Sequence, residues 1–378
     1  MLGGMVRRPH TRMRMDDEMH ASHAPTPDAT DESLTVALAR YGGLVHGALR
    51  RVVEGRDDPD GFYDIVRYHL GWVDEDLAPL TSGSGKGLRG GLLLLICAAL
   101  GGDETSAASL AAGVEMLHNF SLLHDDIEDG SLTRRHRPTV WTIWGTARGI
   151  NVGDGLYALA HLALLDSPLR ADAPALFVGI LDRFARATLL LCEGQHLDMG
   201  FENRDAATVP VDEYLRMIGG KSAALIGAAA WIGARAAGAS NTRAETAYRF
   251  GYDLGMAFQM QDDILGIWGD EAVTGKSAVG DITSRKKTLP VLLALQHADP
   301  AGRTTLAQRY AAPVPDATGE DTRAILDLLD ATGARALTTA YLRRYSDAAF
   351  AALAELDLPV AAAERLYAFA NLFVERVK

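Results

Sequence analysis

The sequence has few cysteines and no long uninterrupted apolar run. Among its 378 residues only Cys97 and Cys192 are cysteines, and both lie in apolar stretches. Two isolated cysteines form neither a disulfide framework nor a spaced metal site, so the sequence favours a reduced, cytoplasmic setting. The longest apolar runs, around 90–102 and 223–233, are shorter than the roughly 20 residues that a membrane-spanning helix needs. We therefore predict no membrane span.

Positive charge is also scarce. The sequence contains 37 Lys and Arg residues against 49 Asp and Glu residues, which gives a formal net charge of −12 at pH 7. Nucleic acids and anionic membranes attract proteins with a surplus of Lys and Arg, so this balance excludes broad binding to either. Taken alone, the balance also disfavours a polyanionic ligand, unless metal ions gathered by the acidic side chains hold that ligand.

The first 32 residues differ in composition from the rest of the chain. Several arginines between residues 7 and 14 are followed by an acidic run at 16–18 and by a stretch rich in Pro, Thr, His and Ala. This segment lacks the apolar core of a secretory signal, so we predict a disordered tail over residues 1–32. Over residues 33–378, apolar residues recur at three- and four-residue spacing, which predicts a single all-helical domain.

Two acidic clusters each follow an apolar helical stretch. In the first, Asp125 and Asp129 are four residues apart, so on a helix their carboxylates share one face, about 6 Å apart along the axis. His118 lies on the same face. Unpaired carboxylates on an inward-facing stripe are costly, so we expect a cation between them. A solvated acidic helix end is the alternative, although the negative end of the helix dipole repels carboxylates.

The second cluster, at 259–263, repeats this arrangement and places Gln259 and Asp262 on one helix face. One acidic pair at a helix end is a weak signal, but two such pairs suggest carboxylates that face each other across one cavity. Oxygen ligands on short side chains suit Mg²⁺, which keeps several waters and bridges a few carboxylates to substrate phosphates.

Basic side chains accompany these clusters. They are Lys86, Arg89, Arg134, Arg135, Lys221, Lys276 and Lys286. Lys221 shares a helical stripe with apolar Ile218 and Leu225, so its ammonium group either extends to water or meets an anion inside. Each cation alone is an ordinary surface charge. Together with the carboxylates they have the composition of a diphosphate site, where metal ions and guanidinium groups stabilise a leaving group.

The order and spacing of the motifs resemble those of the trans-type isoprenyl diphosphate synthases, also called polyprenyl synthetases. The resemblance covers about residues 83–288. The motifs are Gly85-Lys86-x-x-Arg89-Gly90, Asp125-Asp126-x-x-Asp129 followed by Arg134-Arg135, Gly194-Gln195-x-x-Asp198, Lys221-Ser222, Phe258-Gln259-x-x-Asp262-Asp263, and Gly275-Lys276 followed by Asp281 and Lys286-x-Thr288. These motifs in family order are far more specific than any one of them.

The resemblance implies an isoprenoid synthase-type all-α bundle around a deep central cavity, usually in a homodimer. It implies up to three Mg²⁺ ions, with Asp125, Asp129 and Asp262 as ligands. The family's allylic diphosphate side is matched by Asp125, Asp126, Asp129, Arg134, Lys221, Gln259, Asp262 and Lys286. Its isopentenyl diphosphate side is matched by Lys86, Arg89, His118 and Arg135, and Ser222 and Lys276 match further substrate-binding positions. The position of His118 alone would favour a buried core histidine.

The activity that the resemblance implies is prenyl transfer. The family's catalytic residues are matched by Asp125, Asp126, Arg134, Lys221 and Asp262. In this reaction the allylic diphosphate ionises to a carbocation, the double bond of isopentenyl diphosphate attacks it, and a proton is lost. Three alternatives remain open: a class I terpene cyclase or head-to-head prenyl-coupling enzyme, a non-catalytic regulatory subunit of a synthase, and a plain helical scaffold protein.

The second motif departs from the family pattern at Gly266, where a third aspartate is usual. This departure puts the binding of the third metal ion in question. We hypothesise that Asp281 supplies the missing outer-shell contact, with Asp270 as the weaker candidate.

The residues one helical turn before Asp125 predict the length of the product. Phe120 is bulky and Ser121 is small, which leaves more depth than two aromatic rings would. This pattern resembles geranylgeranyl (C20) synthases more than animal-type farnesyl (C15) synthases, which stay the alternative. Phe120 could instead be an ordinary core residue, with the floor of the cavity on another helix.

Overall fold

The fold consists almost entirely of helices. The computed structural model of the protein describes residues 33–80, 85, 87–269, 280–312 and 319–374. Its α-helices are α1 (Leu34–Val53), α2 (Phe62–His69), α3 (Leu88–Ala99), α4 (Glu104–Glu128), α5 (Val140–Trp144), α6 (Thr146–Leu165), α7 (Leu169–Asp172), α8 (Pro174–Glu202), α9 (Val211–Ile218), α10 (Ala224–Ala236), α11 (Asn241–Trp268), α12 (Gly280–Thr283), α13 (Leu289–His297), α14 (Pro300–Ala311), α15 (Gly319–Ala331), α16 (Ala334–Glu355) and α17 (Val360–Val374). The predicted all-α class is confirmed.

Four short elements interrupt this pattern within the described residues. Strands β1 (Thr133–Arg134) and β2 (Arg137–Pro138) pair antiparallel directly after α4. A 3₁₀ turn spans Ala206–Thr208, and a π-helical segment spans Gly219–Ala223 between α9 and α10. The strands and the π-helical segment both carry predicted site residues.

Several features predicted from the sequence lie outside the described residues. They are the tail over residues 1–32 and the side chains of Lys86, Asp270 and Lys276. The single domain over residues 33–378 stays a prediction.

Two long helices carry the acidic clusters. The helix α4 begins after Asp103, whose carboxylate accepts hydrogen bonds from the N–H groups of Thr105 (2.9 Å) and Ser106 (3.3 Å). The helix α11 begins after Ser240, whose hydroxyl accepts from the N–H group of Arg243 at 3.3 Å. Such caps satisfy N–H groups that have no partner within the helix. Each cluster therefore lies on a long continuous helix.

The core is formed mainly by α3, α4, α10 and α11, and nearly every residue of α3 and α10 is buried. The helical stretch Val211–Ala236, which includes α10, is long and apolar enough to cross a bilayer, but 89% of its most apolar window is buried inside the protein. Charged residues interrupt the apolar run there, which is why the sequence alone did not reveal the stretch. Its burial is the arrangement of a core helix.

The outer helices leave a space between the central ones. Helix α6 lies against α4, and α16 lies against α11. The remaining sides of α4 and α11 face a cavity that α1, α3 and α8 also line.

Candidate active site

One cavity of about 1170 Å³ gathers most of the predicted site residues. This volume lies just above the range of about 300–1,000 Å³ that is usual for ligand pockets. The predicted residues that line it are Arg89, His118, Phe120, Ser121, Asp125, Asp129, Arg134, Arg135, Lys221, Ser222, Gln259, Asp262 and Lys286. They are drawn from segments up to about 200 positions apart in the sequence, and the fold alone brings them together.

Asp125 and Asp129 both line the cavity at the end of α4. Burial and the neighbouring charge of Asp125 raise the pKa of Asp129 to about 6, although Lys221 and Lys286 act to lower it. A carboxyl group that resists ionisation beside another carboxylate is one that gains from a nearby cation. This arrangement agrees with the expectation of a cation between the two side chains.

Arg134 is held by the first aspartate motif. Its Nε donates a hydrogen bond to Asp126 Oδ1 at 2.6 Å, and its Nη2 donates to Asp125 Oδ2 at 3.3 Å. Asp126 is buried, and burial raises its pKa to about 6 although Arg134 acts to lower it. Asp126 lies behind Arg134 and does not line the main cavity. This placement suits positioning of Arg134 better than the direct catalytic contact expected from the sequence.

Lys221 bridges α4 and α8 through two carboxylates. Its Nζ donates hydrogen bonds to Asp125 Oδ1 at 2.9 Å and to Asp198 Oδ2 at 2.6 Å. Burial alone would lower the pKa of Lys221, but Asp198 and Asp125 raise it overall, so the ammonium group stays charged. Asp198 was not among the residues expected to act at the site. Its place in the motif that begins at Gly194 was the available signal.

The backbone around Lys221 is π-helical over Gly219–Ala223 rather than regularly α-helical. Helix α8 comes very close there, since a β-carbon on Gly194 would lie 2.2 Å from Lys221 N. Only glycine permits this approach. Short π-helical segments inside α-helices are frequent at functional sites. This one places Lys221 in the cavity, whereas Ile218 and Leu225 stay in the core.

The second aspartate motif forms another wall of the cavity through Gln259 and Asp262. Ser222 Oγ donates a hydrogen bond to Gln259 Oε1 at 2.8 Å. The Gln259 side chain is thereby linked to the segment that carries Lys221. The two predicted substrate-binding residues Ser222 and Gln259 are therefore partners of each other.

Asp263 is buried and acts as a junction between three elements. Its Oδ2 accepts hydrogen bonds from the hydroxyl of Tyr214 on α9 and, at 3.1 Å, from the N–H group of Leu289 at the start of α13. Gln259 Nε2 donates to its Oδ1 at 3.3 Å. Burial raises the pKa of Asp263 to about 7. The helix turn that carries the adjacent Asp262 is thus fixed by hydrogen bonds to α9 and to α13.

Asp281 lies against Gly266, the position where a third aspartate was expected. A β-carbon on Gly266 would lie 2.1 Å from Asp281 Oδ2, and both residues line the cavity. The Asp281 carboxylate therefore occupies space that a side chain at 266 would need. This proximity agrees with the hypothesis that Asp281 supplies the missing contact.

Lys286 reaches the same part of the cavity from the segment between α12 and α13. Its backbone N–H group donates to the carbonyl oxygen of Asp281 at 2.9 Å. Burial alone would lower the pKa of Lys286, but the carboxylates of Asp198 and Asp281 raise it overall. A second ammonium group therefore stays charged beside the carboxylates.

Arg89, Arg135 and His118 line a basic region of the cavity. Burial lowers the pKa of His118 well below its ordinary value, and the charges of Arg89 and Arg135 lower it further. The imidazole is therefore neutral at physiological pH. Its position in the sequence favoured a core histidine, whereas the structure places it in the cavity wall.

Glu115 lies beside this region and was missed in the sequence. It is 6% exposed, and its Oε1 accepts a hydrogen bond from the N–H group of Gly90 at 2.7 Å. A carboxylate at a helix N-terminus satisfies a free N–H group and interacts favourably with the helix dipole. Glu115 thus fixes the start of α3, which carries Arg89. Its spacing of three residues before His118 was the only signal.

The β-hairpin after α4 presents Arg135. Arg135 and His136 form its two-residue connection, with φ of 53° and 62°. A left-handed backbone costs most residues roughly 1–2 kcal/mol each, so the turn is strained. Arg137 anchors it, because its Nη1 and Nη2 donate to the carbonyl oxygens of Tyr68 (3.2 Å) and Val73 (2.7 Å). The structure thereby holds Arg135 at a defined place.

Phe120 and Ser121 line the cavity before the acidic motif. The Phe120 ring makes contacts with His124 (4.8 Å between centroids) and with Tyr157 of α6 (5.4 Å). Ser121 Oγ donates to the carbonyl oxygen of His118 at 2.8 Å. Phe120 is therefore both a lining residue and part of an aromatic cluster, which agrees with its predicted place at the floor.

The carboxylates that could bind a metal ion do not surround it completely and leave positions for water and substrate. Within the described part of the chain, no three His, Cys, Asp or Glu side chains converge as a complete metal site. Mg²⁺ does not need such a cage, because it usually takes one or two carboxylates together with waters and substrate phosphates. Asp125, Asp129 and Asp262 all line the cavity, and burial together with the neighbouring charge of Asp125 raises the pKa of Asp129. The residues present fit Mg²⁺.

Comparisons with known proteins identify relatives over most of the chain. The sequence profile of the polyprenyl synthetase family matches residues 71–328. A (2E,6E)-farnesyl diphosphate synthase of Mycobacterium tuberculosis is 38% identical over 373 residues, which cover 96% of this chain and 99% of that protein. A geranylgeranyl diphosphate synthase of the same species is 42% identical over 277 residues, 73% of this chain and 75% of that protein.

A solved structure also resembles the protein. The crystal structure of a polyprenyl synthetase from Streptomyces coelicolor A3(2) superposes with a TM-score of 0.82 at 36% identity. The superposition covers 90% of this chain and 100% of the other.

Proposed function

The chain belongs to the polyprenyl synthetase family, and from this membership we propose that it joins isopentenyl diphosphate to an allylic diphosphate. It is a short-chain trans-prenyltransferase. The observation that carries the proposal is the cavity in which two acidic motifs, two lysines and a separate arginine-rich wall meet the aromatic ring of Phe120. The charged walls suit the diphosphate groups of two substrates, and the apolar lining suits one prenyl chain.

The allylic diphosphate is proposed to lie between the two acidic motifs. Arg134, Lys221 and Lys286 would contact its oxygens and stabilise the negative charge that develops when the C–O bond breaks. Asp125, Asp129 and Asp262 would hold Mg²⁺, which when bound neutralises diphosphate charge. Because Arg134 and Lys221 are fixed by hydrogen bonds before substrate arrives, little reorganisation is needed during ionisation.

Isopentenyl diphosphate is proposed to lie against Arg89, Arg135 and His118, with Lys86 and Lys276 as further candidates. The arginines would pair with its diphosphate, and the neutral imidazole of His118 would donate one hydrogen bond. Two substrates fixed side by side react as if within one molecule, which supplies a large part of the rate enhancement. No side-chain nucleophile is required.

The product is proposed to be geranylgeranyl diphosphate, with farnesyl diphosphate as the alternative. Phe120 supports a floor on α4, and the small Ser121 beside it leaves depth for a longer chain. One of the two mycobacterial relatives is a farnesyl diphosphate synthase and the other is a geranylgeranyl diphosphate synthase. A direct measurement of product length distinguishes the two.

A cytoplasmic homodimer is proposed as the working form. The described faces of α6 and α8 expose large apolar side chains, among them Ile150 (45%), Val178 (62%) and Leu189 (59%). Exposed apolar patches of this kind mark interaction surfaces, and a self-complementary patch gives a twofold dimer.

The experiment that tests this function is an incubation with Mg²⁺, isopentenyl diphosphate and, separately, a C5, C10 or C15 allylic diphosphate. Chromatography of the dephosphorylated products gives the chain length. We expect C20 as the main product. No product with any of the three primers would favour a non-catalytic partner subunit.

A further inference from the structure

The segment that carries Lys286 has an unusual backbone at the preceding residue. Arg285 has φ of 56°, which lies in the left-handed region that residues with a β-carbon rarely adopt. Lys286 lines the cavity, whereas Arg285 is absent from its walls and is 8% exposed. Of these two adjacent cations only Lys286 faces the cavity, and the left-handed Arg285 joins it to the segment after α12.

The Arg285 side chain is fastened to the outer helices. Its guanidinium group forms an ion pair with Asp321 in the first turn of α15, and the same carboxylate also pairs with Arg309 of α14. Arg285 Nη1 donates to the carbonyl oxygen of Ile282 at 3.3 Å. Its guanidinium carbon also lies 5.8 Å from the centre of the Tyr310 ring. Asp321 therefore links both helices to the segment that bears Lys286.

Charge and burial explain why this contact is sensitive. A buried guanidinium group is stable only when it is paired, and one carboxylate serves two arginines here. Removal of the negative charge on Asp321 leaves Arg285 buried without its counter-ion. The side chain then gains by moving toward water, and the backbone is free to leave the left-handed region. Either change displaces the neighbouring Lys286.

We propose that Asp321 and Arg285 form a tether that positions Lys286 in the cavity, so that Asp321 is a positioning residue for the allylic diphosphate. This inference rests on the proposed function of Lys286. Neither Asp321 nor Arg285 touches the cavity, and Asp321 lies 35 positions after Lys286 in the sequence. The tether acts on Lys286 only through the backbone conformation at Arg285.

The test compares Asp321→Asn with wild-type protein and with Glu355→Gln. Glu355 is a matched control because its carboxylate also pairs with an arginine of another helix, Arg249, and neither residue lines the cavity. For Asp321→Asn we expect KM for the allylic diphosphate to rise about threefold to tenfold, with KM for isopentenyl diphosphate unchanged. Glu355→Gln should match wild type in both. An Asp321→Asn variant with a lower Tm and wild-type KM values would overturn the tether.

A second pair of variants separates the backbone from the side chain. Arg285→Gly and Arg285→Ala both remove the guanidinium group, but glycine adopts the left-handed backbone without strain. We expect KM for the allylic diphosphate to rise more in Arg285→Ala than in Arg285→Gly. Equal values would contradict a role for the backbone at 285. If the wild type turns over no allylic diphosphate, the proposed function itself fails. If the wild type is active and the variants have its KM for the allylic diphosphate, only the tether is refuted.

Discussion

Asp281 Oδ2 lies 2.1 Å from the place that a β-carbon on Gly266 would occupy. A side chain at position 266 of α11 and the Asp281 carboxylate of α12 cannot both occupy this space. The two positions are therefore expected to act as one unit.

The first prediction concerns this pair. Gly266→Asp alone should lower activity and Tm, because the new side chain meets the Asp281 carboxylate. The double variant Gly266→Asp with Asp281→Gly should recover part of both, since one carboxylate again occupies the space. The Mg²⁺ concentration that gives half-maximal activity is the measurement. Asp281→Ala with unchanged Mg²⁺ dependence would remove Asp281 from the metal site.

The second prediction concerns the cations at the leaving group. Lys221→Ala should reduce kcat by about 10²–10³-fold, the usual cost of losing one fixed donor at a developing charge. Asp198→Asn should reduce kcat less, because Asp125 still orients Lys221. A suitable control is Asp182→Asn on the exposed face of α8, whose partner Arg186 lies at the surface. Equal kcat values for Lys221→Ala and the control would show that Lys221 does not stabilise the leaving group.

The third prediction concerns pH. The pKa of His118 is lowered well below its ordinary value, by burial first and by Arg89 and Arg135 second. A lowered pKa means that the imidazole is neutral throughout the range above it, so its charge does not change between pH 6 and pH 8. KM for isopentenyl diphosphate should therefore have the same pH profile in His118→Gln as in wild type. A profile that loses an inflection near pH 6.5 in the variant would show that His118 titrates.

The fourth prediction concerns product length. Phe120→Ala should shift products to longer chains because it removes the ring at the floor. Tyr157→Ala should shift them in the same direction but less, since the Tyr157 ring supports Phe120 from α6. Tyr157→Phe keeps that ring and is the matched control. An unchanged product profile for Phe120→Ala on chromatography would place the floor on another helix.

The sequence predicted the helical class and most of the charged residues that line the cavity, partly through helical spacing and partly through the order of the motifs. Asp125 and Asp129 share a helix face at any i, i+4 spacing, and the order of motifs identified Lys221 and Asp262. The π-helical backbone at Lys221 was not predictable from periodicity, because it depends on the close approach of Gly194 from another helix.

The missed residues are those whose role depends on long-range contacts. Glu115 meets Gly90 across 25 positions, and Asp321 meets Arg285 across 36. Each side chain alone is an ordinary acidic residue on a helix, and only the tertiary fold brings a hydrogen-bond donor to it. Asp126 stays a predicted catalytic residue, and the structure adds that it is buried and accepts a hydrogen bond from Arg134.

The central claim is that one cavity joins two diphosphate substrates. The most direct measurement is pyrophosphate release with Mg²⁺ and geranyl diphosphate, in the presence and absence of isopentenyl diphosphate. We expect release only when both substrates are present, with one pyrophosphate for each C5 unit added to the product. Release at the same rate from the allylic diphosphate alone would contradict it and indicate a cyclase or a hydrolase.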